Sequence, residues 1–444
     1  MHITTLSLHD FRNIPRLELD LHPGITVLYG PNASGKSSLL EALFFIATTR
    51  SHRVSFDREM IHWHAKHEIG TAPFCRLVAN VQRTNGPLLL EVIVQLREPA
   101  AGKAAGGKSS QQRGHGEKEA QTVGQTVGQT VGQTVGQTVG HKGPTHKLVR
   151  INRKNVRAID LVGHLRVVLF TPDDLILVEG SPSDRRRYLD TTLSQLEPRY
   201  VHTLSRYNKL IQQRNSLLRA YREHRRSSRA IEGELGYWDR ELSRAAGYVL
   251  AERLRAVEQL NEIIGPRFQT IMGGEQHLTM SYWASFALDR GRESGTRAER
   301  AEEITKQMQS ALRSARQEEL QRGQTLIGPH RDDLTFLADG VDLGVYGSRG
   351  QKRSVALSLK LGEAELMYAR SGETPILLLD DLLSELDMQR RSHILQVIRQ
   401  SNQQTLITTT DLAIFDAAFL QHAHCLRVEG GRVYAISASS SSGS

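Results

Sequence analysis

Apolar and polar positions alternate in two short runs near the start of the chain, Ile3 to Leu8 and Leu17 to Leu21. That period of two predicts a β-hairpin or meander leading into a continuous apolar run, Ile25-Thr26-Val27-Leu28-Tyr29, which reads as a buried strand. Strand patterns follow at Phe74–Gln82 and Leu88–Leu96, with Asn85-Gly86-Pro87 as the turn between them. They resume at Lys147–Ile151, Arg157–Leu161 and Arg166–Phe170. From Asp184 the period switches to that of a helix: Leu189, Leu193, Leu196, Tyr200, Leu204, Tyr207 and Ile211 fall mostly three or four apart. A second helical run goes from Trp238 to Ile264, with Gly233 and Gly236 as the break. Two antiparallel helices of roughly 30 residues would make an arm about 45 Å long. Its tip, Arg219 to Arg226 with Arg229, is strongly basic, which suits either a solvated helix end or a contact with DNA. Further on, the pattern predicts a short strand around Met280–Leu288, a polar helix over Arg297–Gln321 and a strand pair near Leu334–Phe336 and Val341–Leu343. A long helix over Lys352–Ala369 precedes two more apolar strands, Pro375–Leu379 and Gln404–Thr410.

Residues 99–146 break this rhythm. Gln121 to Gly140 is five copies of Gln-Thr-Val-Gly. A period of four matches neither a helix nor a strand face, and nothing there can bury a core, so the stretch reads as a disordered insertion in a hairpin loop. Closure entropy grows slowly with length, so such an insertion costs little.

The chemistry begins at Gly30-Pro31-Asn32-Ala33-Ser34-Gly35-Lys36-Ser37, which matches G-x-x-x-x-G-K-[ST] in full. It follows the Ile25–Tyr29 strand and precedes a helix beginning near Ser38, the context that marks a P-loop. Its glycines let backbone N–H groups turn inward around phosphate oxygens, and the helix N-terminus adds partial positive charge. Lys36 is expected to reach the β- and γ-phosphates of ATP, and the Ser37 hydroxyl to ligate Mg²⁺. Near the other end, the apolar strand Ile376-Leu377-Leu378-Leu379 runs into Asp380-Asp381, a Walker B element. Asp380 is expected to hold Mg²⁺ opposite Lys36, and Asp381 to orient or deprotonate the attacking water.

Other residues carry weaker signals. Arg12, in Phe11-Arg12-Asn13, suits a phosphate, DNA or a solvated surface. Thr48 to Arg53 forms a basic, hydroxyl-rich loop. His62, His64 and His67 have metal-like spacing, but no carboxylate or cysteine set completes a site, so a wet loop is the better reading.

Composition narrows the partners. The formal charge of +9 points to an anionic partner, nucleic acid first. Cys75 and Cys425 stand far apart, which excludes a disulfide framework and a Cys-type zinc site and fits a reducing cytoplasm. The N-terminus has no secretion-signal pattern, and no run of about 18 apolar residues exists to span a membrane.

Ser348-Arg349-Gly350-Gln351 opens the long helix ahead of Walker B. In that position it resembles the signature motif of ABC-type ATPases, and Ser384-Glu385-Leu386-Asp387 resembles their D-loop. Two departures stand out: Thr408-Thr409-Thr410 lies where such ATPases carry a switch histidine, and Asp381 replaces the usual glutamate. Over nearly its whole length the chain resembles the RecF family of bacterial recombination-repair ATPases. The marks are Phe11-Arg12-Asn13, the P-loop, Ser51-His52-Arg53, Phe170-Thr171-Pro172-Asp173-Asp174-Leu175, and Gly180-Ser181-Pro182 with Arg185 to Asp190. Gly328-Pro329-His330-Arg331-Asp332-Asp333 and the signature, Walker B and D-loop stretches complete them. The repetitive insert is the main departure.

That resemblance implies an α/β P-loop fold of the ABC-ATPase head type, with an inserted helical lobe and a short coiled-coil-like arm. It divides the chain into an ATPase part at 1–180, a helical lobe at 181–325, the rest of the ATPase at 326–436 and a Ser-rich tail at 437–444. It implies a nucleotide site formed by residues Gly30 to Ser38 of one chain and Ser348, Arg349, Gly350 and Gln351 of a second, so that ATP is sandwiched in a homodimer. Further implications are a clamp on double-stranded DNA near single-strand gaps, RecR and RecO as partners in loading a recombinase, and release by slow ATP hydrolysis. Two alternatives stay open. One is another ABC-type DNA-repair ATPase; an overcoming-lysogenization-type nuclease would need a second acidic metal domain, and only about 57 residues follow Asp387. The other is a DNA-binding scaffold that binds ATP without turning it over.

Overall fold

The computed structural model describes residues 1–65, 72–97, 144–224, 228–289 and 296–435, with side chains except at 224 and 228–232. The Gln-Thr-Val-Gly repeats, His67, the basic tip at Arg225 and Arg226, and the Ser-rich tail lie outside the described residues, and of Arg229 only the backbone is described.

In chain order, β1 (His2–Phe11), β2 (Ile14–Asp20) and β3 (Ile25–Tyr29) lead into α1 (Lys36–Thr48). Then come β4 (Phe74–Arg83), β5 (Gly86–Leu96), β6 (Thr145–Ile151), β7 (Lys154–Val156), α2 (Ala158–Leu161) and β8 (Val167–Phe170). The helical stretch holds α3 (Ile176–Glu179), α4 (Pro182–Leu196), α5 (Pro198–His224) and α6 (Ser228–Met272), then β9 (Leu278–Trp283) and α7 (Arg297–Arg322). The chain continues through β10 (Asp333–Ala338), β11 (Val341–Asp342), α8 (Leu343–Tyr346), α9 (Arg349–Ser371) and β12 (Ile376–Asp380). It ends with α10 (Met388–Gln400), β13 (Thr405–Thr409), α11 (Ala417–Leu420), β14 (Ala423–Glu429) and β15 (Arg432–Ala435).

The strands form two six-stranded sheets and a three-stranded one ordered β11-β10-β9. One six-stranded sheet is antiparallel, ordered β2-β1-β4-β5-β6-β7, and built by the alternating segments. The other is ordered β15-β14-β3-β13-β12-β8 and parallel from β14 to β8. Both faces of its inner strands are covered, and every residue of β12 and of β13 is buried; β12 accordingly reads as an apolar run up to its terminal acid. In this sheet the first and last thirds of the sequence are neighbours. β13 lies between β3 and β12, so the strands leading into the P-loop and into Asp380 are one strand apart.

The helical stretch differs from the sequence expectation in two places. Gly233 and Gly236 lie inside α6, and the first periodic run is cut at Glu197-Pro198 into α4 and α5. A helix interior tolerates glycine at about 1 kcal/mol, whereas proline pushes the residue before it out of helical geometry. Arg157–Leu161, read as a strand, holds the short helix α2 at residues 158–161. Packing there follows buried charge as well as apolar contact. Arg214 is fully buried and donates to Asp239 Oδ1 (2.9 Å), Glu319 Oε2 (2.5 Å) and Thr325 Oγ1 (2.8 Å), tying α5 to α6 and α7. Arg253, also buried, joins Asp190 of α4 to Tyr282 of β9 and the carbonyl of Pro329.

Candidate nucleotide site

The P-loop runs from the end of β3 to the start of α1. Gly30 (φ 155°), Ala33 (φ 62°) and Gly35 (φ 111°) turn the backbone through conformations that a β-branched residue would not hold. A Cβ at Gly30 would stand 2.1 Å from the Val428 carbonyl oxygen, so no side chain fits there. Lys36 folds back over the loop and donates to the carbonyls of Gly30 (2.7 Å) and Pro31 (2.8 Å). Burial holds its ammonium below the ordinary lysine pKa, against the opposing pull of Asp381 and Asp380. Ser34 Oγ is buried and has no hydrogen-bond partner among the described residues. A buried hydroxyl normally finds one, so the loop fits a ligand that offers acceptor oxygens.

The acid strand meets the loop directly. Ser37 Oγ donates to Asp380 Oδ1 at 2.7 Å. Thr408, at the end of β13, donates to the same Oδ1 at 2.9 Å and accepts from the backbone N–H of Asp381 at 2.9 Å. The register explains this, since Asp380 and Thr408 are paired across β12 and β13. Asp381 itself takes a left-handed backbone (φ 48°, ψ 24°) and lines the cavity with Lys36 and Ser37. One of its carboxylate oxygens accepts from Ser384 Oγ at 3.0 Å. The cavity holds about 520 Å³ and is also lined by Asn32, Ala33, Ser34, Gly35 and Ser38. An acid pair, an ammonium and a cradle of N–H groups in one cleft can hold a polyphosphate and its divalent cation.

Not every expected residue comes here. Ser348 caps α9, accepting from Gln351 N at 3.2 Å while its own N–H donates to Gln351 Oε1 at 2.9 Å. None of Ser348, Arg349, Gly350 and Gln351 lines the cavity. The helix they open is joined to the Ser384–Asp387 stretch: Arg353 pairs with Glu385 at 2.7 Å, and Arg390 donates to Ser354 Oγ at 2.9 Å.

Some site residues were missed or only half seen in the sequence. Thr408 was one of three threonines with no assigned task. Arg12 is clamped by both oxygens of buried Glu41, each at 2.9 Å, and Ser51 Oγ donates to the same carboxylate at 2.5 Å. Its side chain still lines the cavity. Asn13 splints the loop, donating to the Ala33 carbonyl at 3.2 Å and accepting from Ser38 Oγ at 2.9 Å. Arg187 of α4 donates to the Ser51 carbonyl at 3.0 Å, tying the helical stretch to the loop after α1.

Comparison with known proteins decides the family. A family model described as an AAA domain matches residues 5–322. DNA replication and repair protein RecF of Chloroflexus aurantiacus is 52% identical over 435 residues, covering 98% of this chain and 100% of the relative. The RecF protein of Roseiflexus castenholzii is 50% identical over 98% of this chain and 100% of its own length. The chain belongs to the RecF family. A solved structure of the recombination mediator protein RecF-ATPrS in the RecFOR pathway superposes with a TM-score of 0.76 at 26% identity, covering 98% of both chains. Its RecF-ATP counterpart gives 0.76 at 25% identity over the same shares. The fold is therefore the P-loop ATPase head of ABC type, and the family's name places the chain among DNA replication and repair proteins. Against that family, the arginines of α4 and the Gly328–Asp333 stretch have structural work here. Arg185 grips both oxygens of Asp333 (2.7 and 2.8 Å), and Arg186 donates to the Asp332 carbonyl. Among the described residues no helix is long and apolar enough to cross a membrane.

Proposed function

We propose that the protein is an ATP-dependent DNA-binding component of recombinational repair, whose ATP-bound form is a homodimer closed on double-stranded DNA beside single-strand gaps. The observation that carries the reading is the meeting of Ser37 and Asp380 at 2.7 Å beside the unpartnered buried hydroxyl of Ser34. That is the arrangement a triphosphate and its Mg²⁺ require. Ser37 and Asp380 would hold Mg²⁺, which when bound neutralises charge on the β- and γ-phosphates. The N–H groups of Asn32 to Ser38, with the Lys36 ammonium, bind and orient the triphosphate, and Gly30 and Pro31 shape the start of the loop. Asp381, held by Thr408 and Ser384, orients the attacking water and accepts its proton at a carboxylate oxygen.

The signature residues Ser348, Arg349, Gly350 and Gln351 lie outside the cavity of their own chain, which favours their use on the nucleotide of a second copy. Dimerisation through ATP would then gate the grip on DNA, and hydrolysis would release it. RecR, with RecO, is the expected partner in handing the gap to a recombinase. The division of the chain into 1–180, 181–325, 326–436 and a tail at 437–444 belongs to this reading, as does a cytoplasmic location. Asp381 is one methylene shorter than the glutamate usual at this place, which favours slow turnover over a fast motor. Taken to its limit, the same shortening favours the second reading, a scaffold that binds ATP and does not cleave it.

Sedimentation with gapped duplex DNA tests the reading, with and without ATP and Mg²⁺, for wild type, Lys36→Met and Ser348→Arg. The expected result is an ATP-dependent, DNA-bound dimer for wild type only. A wild type that stays monomeric with ATP, or binds DNA equally without it, overturns the clamp. Steady-state hydrolysis separates the two readings: Asp381→Asn should fall at least tenfold below wild type, and a wild type with no turnover leaves the scaffold.

A further inference from the structure

Trp63 is 46% exposed, yet it lines the same cavity as Lys36, Ser38, Asn13 and Arg12. An indole left out of the core beside a phosphate loop calls for an account. Its backbone is fixed rather than loose. Ile61 bridges to Phe11, His62 N donates to the Asp10 carbonyl at 2.7 Å, and Arg12 N donates to the Met60 carbonyl at 2.8 Å. The turn that holds it is itself hooked to the P-loop through Asn13, which touches both Ala33 and Ser38. One face of the indole lies on the ring of buried His62, with centroids 5.0 Å apart and planes at 20°. His64 meets the same indole at an angle, with centroids 6.2 Å apart and planes at 69°, and the exposed part of the ring borders the cavity.

The direction of a bound nucleotide follows from the polar groups. Asp381 and Thr408 mark the end of the cleft where the acid strand stops, and the terminal phosphate belongs there with the metal. The rest of the molecule must extend from the first turn of α1 past Ser38, toward the turn that carries Asn13 and Arg12. Trp63 stands on that side, on the segment paired to that turn.

We infer that Trp63 is the stacking platform for the base of the nucleotide, with His62 backing the indole and Arg12 flanking it. This rests on the reading of Gly30–Ser38 as a nucleotide site. Stacking on an aromatic face is tolerant of base identity and adds affinity that a bare polyphosphate cannot gain. Because the indole already lies on the His62 ring, less ordering is left to be done on binding.

The test compares ATP with inorganic tripolyphosphate, both with Mg²⁺, by equilibrium binding to the full chain as wild type, Trp63→Ala, Trp63→Phe and Lys36→Met. Trp63→Ala should weaken ATP roughly ten- to hundredfold and leave tripolyphosphate within about twofold of wild type, which also shows that the variant is folded. Trp63→Phe should restore most of the ATP affinity. In a Trp238→Phe, Trp283→Phe background, which leaves Trp63 as the last of the chain's three tryptophans, ATP should quench the fluorescence and tripolyphosphate should not. Unchanged ATP binding by Trp63→Ala, an equal loss of both ligands, or no selective quenching overturns the platform. A wild type that binds neither ligand, or a Lys36→Met variant that binds both as wild type does, instead overturns the nucleotide site itself and the platform with it.

Discussion

Ser37 Oγ and Asp380 Oδ1 are 2.7 Å apart although 343 residues separate them in the chain. The hydroxyl comes from the first turn of α1 and the carboxylate from the last residue of β12. Asp380→Asn keeps the shape but removes the charge a divalent cation needs, and Ser37→Ala removes the hydroxyl. Both should erase most of the gain in ATP affinity that Mg²⁺ confers, by about tenfold or more, while metal-free ATP binding stays near wild type. Titrating ATP with and without Mg²⁺ measures this directly. A variant with the full Mg²⁺ dependence would remove that residue from the metal site.

Thr408 joins the two acids, donating to Asp380 and accepting from the amide of Asp381. Thr408→Val has nearly the same shape but leaves that amide unpaired, at a cost of about 1–3 kcal/mol in unfolding free energy. Asp381 would also lose the anchor of its left-handed backbone, so turnover should fall at least tenfold. Thr408→Ser should retain both properties. Urea unfolding and steady-state hydrolysis on the three proteins decide it; a Val variant that matches wild type in both would leave Thr408 without a role.

The P-loop and Walker B were legible because their chemistry demands fixed residue types at fixed spacing, next to an apolar strand. Thr408 was not, because a threonine in a strand is also what β-propensity favours, and only the pairing of β12 with β13 puts its hydroxyl on an aspartate. Arg12 was ambiguous for a related reason. Its partner Glu41 lies on the helix after the P-loop, and nothing in the spacing shows that its carboxylate is buried. The helical period was plain, but the break read at Gly233 and Gly236 falls inside α6, which begins at Ser228, and the further break at Glu197-Pro198 inside the first run left no mark in the period. Glycine weakens a helix without ending it, and α6 has ample buried surface to carry both.

Arg12 is expected to matter for folding as well as for the cleft. Glu41 is fully buried, and its charge is met by Arg12 and by the Ser51 hydroxyl. Arg12→Ala strands that carboxylate, which costs about 3–5 kcal/mol. Adding Glu41→Leu to Arg12→Ala should recover part of the loss, since the uncompensated charge is then gone. Chemical denaturation of the single and double variants checks the order. A double variant less stable than the single would show that the pair contributes more than its own compensation.

Acid should unfold the protein in two steps set by different groups. Burial pushes His52 and His330 down to about 4, against the pull of Glu41 on the first and the Thr325 carbonyl on the second. In the unfolded chain both titrate near 6.5, so the unfolded state takes up protons first and stability falls as the pH drops from 6.5 toward 4. Glu373 acts lower. Burial pushes its carboxyl up, but Arg83, with the Thr84 amide and hydroxyl, outweighs this and brings it to about 2 from 4.5. Its contribution is complete above pH 4.5 and is lost as the pH falls through 2, and it amounts to about 3 kcal/mol. Unfolding free energies measured from pH 8 to pH 2 should therefore slope in both windows. His330→Gln should flatten part of the upper slope only. Glu373→Gln should flatten the lower one and lose about 3 kcal/mol at pH 7, and an unchanged lower slope in that variant would assign the acid transition to other carboxylates.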